Sequence, residues 1–426
     1  MPESAIDVAV VGGGIVGTSL ARELAGRGAG RVVVFERRTV AFGGSGRTGA
    51  LLRRHYSNEP EAILAQRGWE TYAAWPEVVG GDPVHSPCGL IFTADTSPAC
   101  AGNIERLRAN VAMQNRLGIP SRVVGPEELR ELQPFAEWDD VALAAYEPDS
   151  GYVDAVAATR GMARAALAAG AEIREHAPVL GIAVVGDRVA GVRTPEGVVP
   201  VGAVVVAAGP WTNATLAGSG VELPIDVLRV QVAVLQRPLA LEEPHFVYLD
   251  TAAGIFCRPW GPGRTMIGVA GGDQHDHADP DAYREQNDPG YGAIAIAAIA
   301  RRIPAMARAS YLSGHAGLYD ISPDAHPFIG ALGGVPAGAP ADPSGGSGGS
   351  PIGPDGLFVA AGFSGAGFKK GPAVGRAVAD LLLDGACSWV DLHPFRPGRV
   401  FDPGYDPAAP WGPHEYAGAR DFGHKF

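Results

Sequence analysis

The chain has 426 residues, 46% of them hydrophobic and 19% charged, with a formal net charge of −12. That is the composition of a folded protein long enough for about two to three domains, and it excludes a disordered chain. The acidic balance argues against a nucleic-acid partner, which needs a concentrated basic face to displace counterions.

Met1-Pro2-Glu3-Ser4 runs into Ile6–Val11 without the basic segment of a secretory leader, so the expectation is a soluble, cytoplasmic protein. Ile6–Val11 is a β-branched run suited to a fully buried parallel strand. It leads into Gly12-Gly13-Gly14-Ile15-Val16-Gly17, a helical stretch from Thr18 to Arg27, and a second strand at Arg31–Phe35 ending on Glu36. Strand, G-x-G-x-x-G turn, helix, strand and acid together form the fingerprint of a Rossmann-like dinucleotide site. Gly12 permits the tight turn, Gly14 lets backbone N–H groups approach a pyrophosphate, and Gly17 allows close helix–strand packing. Glu36 is placed to accept hydrogen bonds from a ribose. The fingerprint does not separate FAD from NAD.

Leu90–Ala94 is a strand candidate and Ala101–Leu117 a helix. Asp154–Ala169 reads as an Ala-rich helix. Strands follow at Ala171–Glu175 and Pro178–Val185, with hairpins through Gly186-Asp187-Arg188 and Pro195-Glu196-Gly197. Val204–Trp211 is a buried strand closing in a small-residue turn. Val227–Gln236 and Arg264–Gly268 are further strand candidates. Asp273, His275, Asp276, His277 and Asp279 alternate in a loop-like stretch and read as solvated, with no metal site expected. The apolar run Gly292–Ala300 is about half a membrane span, so a half-buried helix is expected and no membrane span. Gly333–Gly356 reads as a flexible insertion. Gly356–Lys370 then repeats strand and glycine turn ahead of a helix at Pro372–Leu383, which offers a second helix N-terminus to a cofactor. Residues 402–426 carry no core pattern. Cys88, Cys100, Cys257 and Cys387 are scattered without a CxxC, which points to a reducing compartment and neither disulfides nor zinc.

Seven collinear blocks resemble the FAD-dependent D-amino-acid oxidase superfamily, most closely its sarcosine oxidase and dimethylglycine dehydrogenase branch. They are the N-terminal fingerprint, Gly44-Ser45-Gly46-Arg47, Ala207-Ala208-Gly209-Pro210-Trp211, Gly254–Gly268, Tyr319 through Gly330, Gly362–Lys370, and Pro394-Phe395-Arg396-Pro397. The resemblance implies an α/β fold in which a Rossmann-like FAD-binding domain (1–80, 150–220 and 317–392) is interleaved with a mixed-sheet α+β substrate domain (81–149 and 221–316). The insertion at 333–356 and a tail at 393–426 complete the division. It implies FAD contacts at Gly12, Gly14, Ile15, Val16, Gly17, Glu36, Arg37, Ser45, Thr48 and Val179. Further contacts are implied at Ala208, Gly209, Trp211, Gly362, Phe363, Gly365, Ala366, Gly367, Phe368 and Lys369.

In this family flavin N5 takes a hydride from the carbon beside an amine nitrogen, so the protein chiefly orients the substrate. By the same resemblance, Arg53 matches the arginine that binds the substrate carboxylate, with a one-residue slip to Arg54 possible. Lys369 matches the lysine that shares that carboxylate; a flavin-phosphate contact for the arginine, or a structural cation for the lysine, stays open. Phe256 stands where a pocket tyrosine is found. Arg258 is a further substrate-side candidate, or else a domain-interface ion pair. Two pocket histidines of the branch align with Ala366 and Ala270, which suggests a substrate bulkier than sarcosine. The covalent-attachment cysteine aligns with Gly317 and the histidine attachment site has no counterpart, so FAD is expected to be non-covalent. Met266 stands near the oxygen-activating lysine, which shifts the expectation toward a dehydrogenase or slow oxidase.

The expectation is FAD-dependent oxidation of an amino acid or N-alkyl amino acid to an imine, with oxygen or another carrier as acceptor. A 2-hydroxy-acid or polyol dehydrogenase on the same scaffold is one alternative. A partner-dependent flavin subunit of a heteromeric amine oxidase is another. Oligomeric state is not legible.

Overall fold

A computed structural model describes residues 5–97, 101–241, 244–270, 276–333, 351–412 and 415. Two eight-stranded sheets and one small three-stranded sheet organise it. The first expected strand, Ile6–Val11, is central in its sheet, pairing in parallel with Val32–Phe35 on one side and Gly197–Val206 on the other. Glu172–Arg174 extends the parallel set beyond Val32–Phe35, and Leu357–Ala361 extends it beyond Gly197–Val206. Phe328–Ala331 closes that edge antiparallel. The β-branched residues are buried on both faces because helices cover one side, chiefly Ile15–Gly26, Ala155–Ala168 and Gly367–Asp384. The hairpins Gly181–Val185, Arg188–Thr194 and the start of Gly197–Val206 lie on the other.

Register fixes where a ligand can sit. Phe35, Val11, Val206 and Val359 are paired across four neighbouring strands, so their carboxyl ends form one edge. In open α/β sheets that edge is where ligands bind.

The second sheet is mixed, in the order Ser310–Ile321, Asp226–Gln236, Arg264–Val269, Ile255–Pro259, Val247–Asp250, Leu90–Asp95, Val141–Glu147, Arg122–Val124. Among the described residues its only parallel pair is Val247–Asp250 with Leu90–Asp95. Ser310–Ile321 pairs with Asp226–Gln236 from end to end, so the domain boundary expected at residue 317 falls inside one continuous strand. Tyr291–Arg302 is half-buried against this sheet, burying Tyr291, Ala295 and Ile299 at helical spacing. Leu51–Leu52, Gly151–Val153 and His85–Pro87 form the small sheet.

Three local outcomes differ from the sequence reading. The helix expected from Pro372 begins five residues earlier, at Gly367, with Pro372 inside it. Proline cannot donate to the carbonyl of residue i−4, and that carbonyl, on Phe368, instead accepts from the Tyr72 hydroxyl at 2.8 Å. The orphan acceptor is satisfied from a neighbouring helix. The chain's last described part also packs, including Trp411 of the 402–426 stretch read as carrying no core pattern. Phe395 is fully buried, Trp411 stacks on His326 at 3.8 Å, and Arg399 holds Asp324 with two hydrogen bonds of 2.8 and 2.9 Å. Asp276, read as solvated, accepts from Arg229 at 2.9 Å. Asp273, His275, Cys100 and most of the 333–356 insertion lie outside the described residues. Among the described residues no helix is long and apolar enough to cross a membrane, and no three His, Cys, Asp or Glu side chains converge as a metal site.

Candidate active site

A cleft of ≈ 370 Å³ opens at the carboxyl edge of the parallel sheet. The glycine turn after the first strand forms its floor. Gly12 has φ +118°, and a Cβ there would lie 2.3 Å from the Ala207 carbonyl oxygen, so no other residue fits. Gly17 does not line the cleft; a Cβ on it would sit 2.0 Å from the Gly12 carbonyl, so its absence lets the helix press against the turn.

The helix Ile15–Gly26 begins at Gly14 with no side-chain cap, and Gly12, Gly14, Ile15 and Val16 line the cleft. Ser45 lies against this turn and accepts from the Ile15 N–H at 2.9 Å. Opposite, Gly367–Asp384 also starts without a side-chain cap, and Gly365, Gly367 and Phe368 line the same space. Two helix N-termini whose N-cap residues carry no capping side chain supply their remaining donors and positive dipole ends, which suit a pyrophosphate. At the outer end, the Glu36 carboxylate accepts from Gly13 N at 2.7 Å and Arg38 N at 2.8 Å and faces the cleft. A ribose and an adenine would find Glu36, Arg37, Val179, Ala208, Gly209 and Trp211 there. This donor and acceptor set fits a dinucleotide.

Of the expected cofactor residues, Thr48 and Phe363 also line the cleft; Gly362, Ala366 and Lys369, like Gly17, do not. Gly362 has a structural partner: its N–H donates to Asp320 at 2.7 Å, with Phe363 N at 3.3 Å. Asp320 was not expected. Its burial pushes the carboxyl up to about 6, opposed by those backbone N–H groups. Gln231 and Asp281 were also missed, and both line the cleft from the mixed-sheet half of the chain. Asp281 accepts from the Trp211 indole at 2.8 Å and pairs with Arg37 at 2.7 Å, fastening its segment across the cleft mouth.

Phe256 lines the inner end, held between Gly49 and Gly268, where added Cβ atoms would approach its ring to 3.1 and 2.1 Å. Beyond the cleft lining, three cations gather around one phenol. The Arg53 guanidinium lies 4.6 Å from the Tyr56 ring and 6.0 Å from Phe92, and Lys370 Nζ lies 4.1 Å from the Tyr56 ring. Lys369, in the first turn of its helix, is buried beside Tyr56. Burial pushes its ammonium down to about 8, against the pull of Tyr56 and with the repulsion of Arg53 and Lys370. Against its own burial, Tyr56 is drawn down to about 8 by Lys369, Lys370 and Arg53.

Lys370 is neutralised by Glu61, whose carboxyl is held far below the usual range by Lys370 and His326 despite burial. No carboxylate pairs with Arg53 or Lys369 among the described residues. Arg54 points elsewhere. It bonds Ser150 at 3.2 Å and Gln66 at 3.2 Å, stacks 4.3 Å from Trp69, and lies 3.9 Å from Glu147. His55 is bound to Gln114 at 2.7 Å and held neutral, pushed down to about 3 by burial. Arg53 is therefore the member of Arg53-Arg54-His55 that faces the Lys369 side.

Sequence and structure comparisons agree with this geometry. The profile of the family described as "DAO: FAD dependent oxidoreductase" matches residues 7–381. The chain is 26% identical over 398 residues to 4-methylaminobutanoate oxidase (formaldehyde-forming) of Paenarthrobacter nicotinovorans, covering 91% of this chain and 45% of that protein. It is 25% identical to human mitochondrial sarcosine dehydrogenase, covering 90% and 40%. The chain thus spans less than half the length of these two relatives. Sarcosine oxidase subunit beta of Rhodobacter capsulatus is 24% identical, with 94% and 91% covered. Among solved structures, L-proline dehydrogenase from P. horikoshii superposes with a TM-score of 0.79 at 26% identity, covering 94% of this chain and 99% of that one.

Proposed function

The chain belongs to the DAO family of FAD-dependent oxidoreductases, and from that membership we propose that it oxidises the C–N bond of an amino acid or N-alkyl amino acid bulkier than sarcosine. The product is an imine, which water hydrolyses to a carbonyl compound and an amine. The observation that carries this reading is the pair Arg53 and Lys369, two buried cations without a carboxylate partner, next to a dinucleotide cleft. A buried cation is costly unless an anion compensates it, and a substrate carboxylate supplies one.

Bound FAD supplies the two-electron sink for a hydride. The residues that would hold it are the two glycine turns, Glu36, Arg37 and Trp211. Non-covalent binding is supported by the absence of Cys and His from the described cleft lining. The rest falls to side chains of the substrate site. Arg53 offers a two-pronged donor and Lys369 a point charge for one carboxylate. Phe256 lines the cleft with an apolar ring for the amine substituents. No base is needed beyond solvent if the amine binds neutral. The acceptor of the electrons is oxygen or another carrier, and the fully buried Met266 brings no charge toward oxygen.

Resemblance over nearly its whole length to an oxidase beta subunit supports a second reading, a flavin subunit that works only with a partner. Anaerobic titration of the isolated FAD-loaded chain with D-, L- and N-methyl amino acids and with 2-hydroxy acids, followed by air, decides between them. Bleaching by amines supports the proposal. Bleaching by hydroxy acids alone, or none without a partner protein, overturns it.

A further inference from the structure

Apart from Arg237, the buried cations of the described residues divide into two groups. Arg54 lies by Glu147, Arg302 binds Asp250 and Asp140, Arg399 binds Asp324, Lys370 binds Glu61, and Arg229 binds Asp276 and Asp288. Arg53, Lys369 and Arg258 have no carboxylate partner. The first two meet the substrate carboxylate in the reading above; Arg258 has no such role.

Arg258 is 4% exposed. Its guanidinium lies between two aromatic rings, 4.4 Å from that of Tyr152 and 4.5 Å from that of Trp260, which fixes its plane. Nη1 donates to the Pro259 carbonyl at 2.9 Å. Nε is buried without a hydrogen-bond partner, and Nη2 has none among the described residues. The unused Nε–Nη2 edge is the fork that engages a carboxylate with two parallel bonds. Asp154 is near enough to favour the charge, but its carboxylate caps a helix through Ala157 N at 2.9 Å. Burial pushes Arg258 down to about 10, outweighing the pull of Tyr152, Asp154 and Cys88.

Its position is on the substrate side. Arg258 follows Phe256 by two residues on the strand Ile255–Pro259, so both side chains leave the same face, and Phe256 lines the cleft. Tyr152, stacked on Arg258, is the register partner of Leu51, two residues before Arg53. Phe92, which Arg53 approaches, shares the Phe256 row across Leu249. Two strand spacings and a two-residue step put Phe92 and Arg258 about 12 Å apart at their Cα atoms. The Arg53 guanidinium lies by Phe92 at one end of that interval, and Arg258 stands at the other.

We propose that Arg258 receives a second carboxylate of the substrate, so that the preferred substrate is an amino dicarboxylate anchored at Arg53 and Lys369 by one acid and at Arg258 by the other. This rests on the amino-acid oxidation reading and narrows it.

The test titrates the FAD-loaded protein with glutarate and with pentanoate, chains of equal length with two acids and one, and follows the flavin absorbance. Glutarate should bind about tenfold more tightly or better. In R258Q that advantage should vanish while pentanoate affinity stays unchanged. If R258Q does not load FAD, R258K, which keeps the charge without the fork, should retain only part of the advantage. Equal affinity for both acids in the wild type, or an equal loss of both in R258Q, overturns the proposal, as does a full glutarate advantage in R258K. A second arm compares anaerobic bleaching by N-methylglutamate and N-methylnorvaline. Stronger bleaching by N-methylglutamate supports the inference. Equal bleaching by both removes the second-carboxylate site and leaves amine oxidation standing; bleaching by neither removes the oxidation reading itself.

Discussion

Replacing Lys369 by methionine keeps most of the side chain's length and removes one of the two cations proposed to hold the substrate carboxylate. A hydrogen bond to a charged group contributes about 1.5–3 kcal/mol, which is about 10- to 150-fold in affinity. K369M should therefore bind acetate weaker by that factor at pH 7, measured by flavin difference spectra of the FAD-loaded protein. The pH dependence is more telling than the size. With its ammonium pushed down to about 8 by burial, Lys369 is about nine-tenths charged at pH 7 and one-tenth at pH 9. Wild-type affinity should fall about tenfold across that interval. Tyr56 adds to the fall, because its phenol is also drawn to about 8 and its anion repels a carboxylate. Removing Lys369 takes away a cation that lowers Tyr56, so any step remaining in K369M should move to higher pH. In Y56F the phenol that raises Lys369 is gone, and the step should move lower. Wild-type affinity in K369M, or an unshifted step in both variants, would refute this reasoning.

Three further outcomes follow from individual contacts. Asp320 holds its proton up to about 6 because it is buried, whereas in the unfolded chain it ionises near the usual ~3.9. Its contribution to stability is therefore complete below about pH 4 and is lost as pH rises toward 6, by up to about 3 kcal/mol. Urea unfolding should show D320N gaining on wild type over that range, and a flat difference would contradict the assignment. Asp281 ties Trp211 and Arg37 together over the cleft mouth, so D281A should release FAD faster on dilution, read by recovery of flavin fluorescence; an unchanged rate would remove the fastening role. Acid precipitation should leave the yellow colour in the supernatant, and colour retained in the pellet would mean a covalent link.

The cofactor half of the site was legible because its signals are local. Gly12, Gly14, Gly17 and Glu36 lie within one strand–turn–helix–strand unit, so their spacing can be read from a single short segment. Other residues depend on contacts that no local pattern encodes. Asp320 serves Gly362 and Phe363 more than forty positions away, and Gln231 and Asp281 reach the cleft from the mixed-sheet half of the chain. Pro372 looked like a helix start because its compensation, the Tyr72 hydroxyl, comes from 300 positions earlier. Arg53 and Arg54 are indistinguishable by residue type; only Glu147, Ser150, Gln66 and Trp69 around Arg54 separate them. Tertiary pairing decides which arginine is left without a partner.

The central claim is that an amine C–N bond is oxidised, and a single turnover tests it most directly. The FAD-loaded protein is mixed without oxygen with one equivalent of an N-methyl amino acid, and reduced flavin, carbonyl product and released amine are quantified together. The account predicts all three in equal amounts, two electrons and one bond per flavin. Substrate returned intact with the flavin still oxidised, or reduction only when a 2-hydroxy acid is supplied, would contradict it.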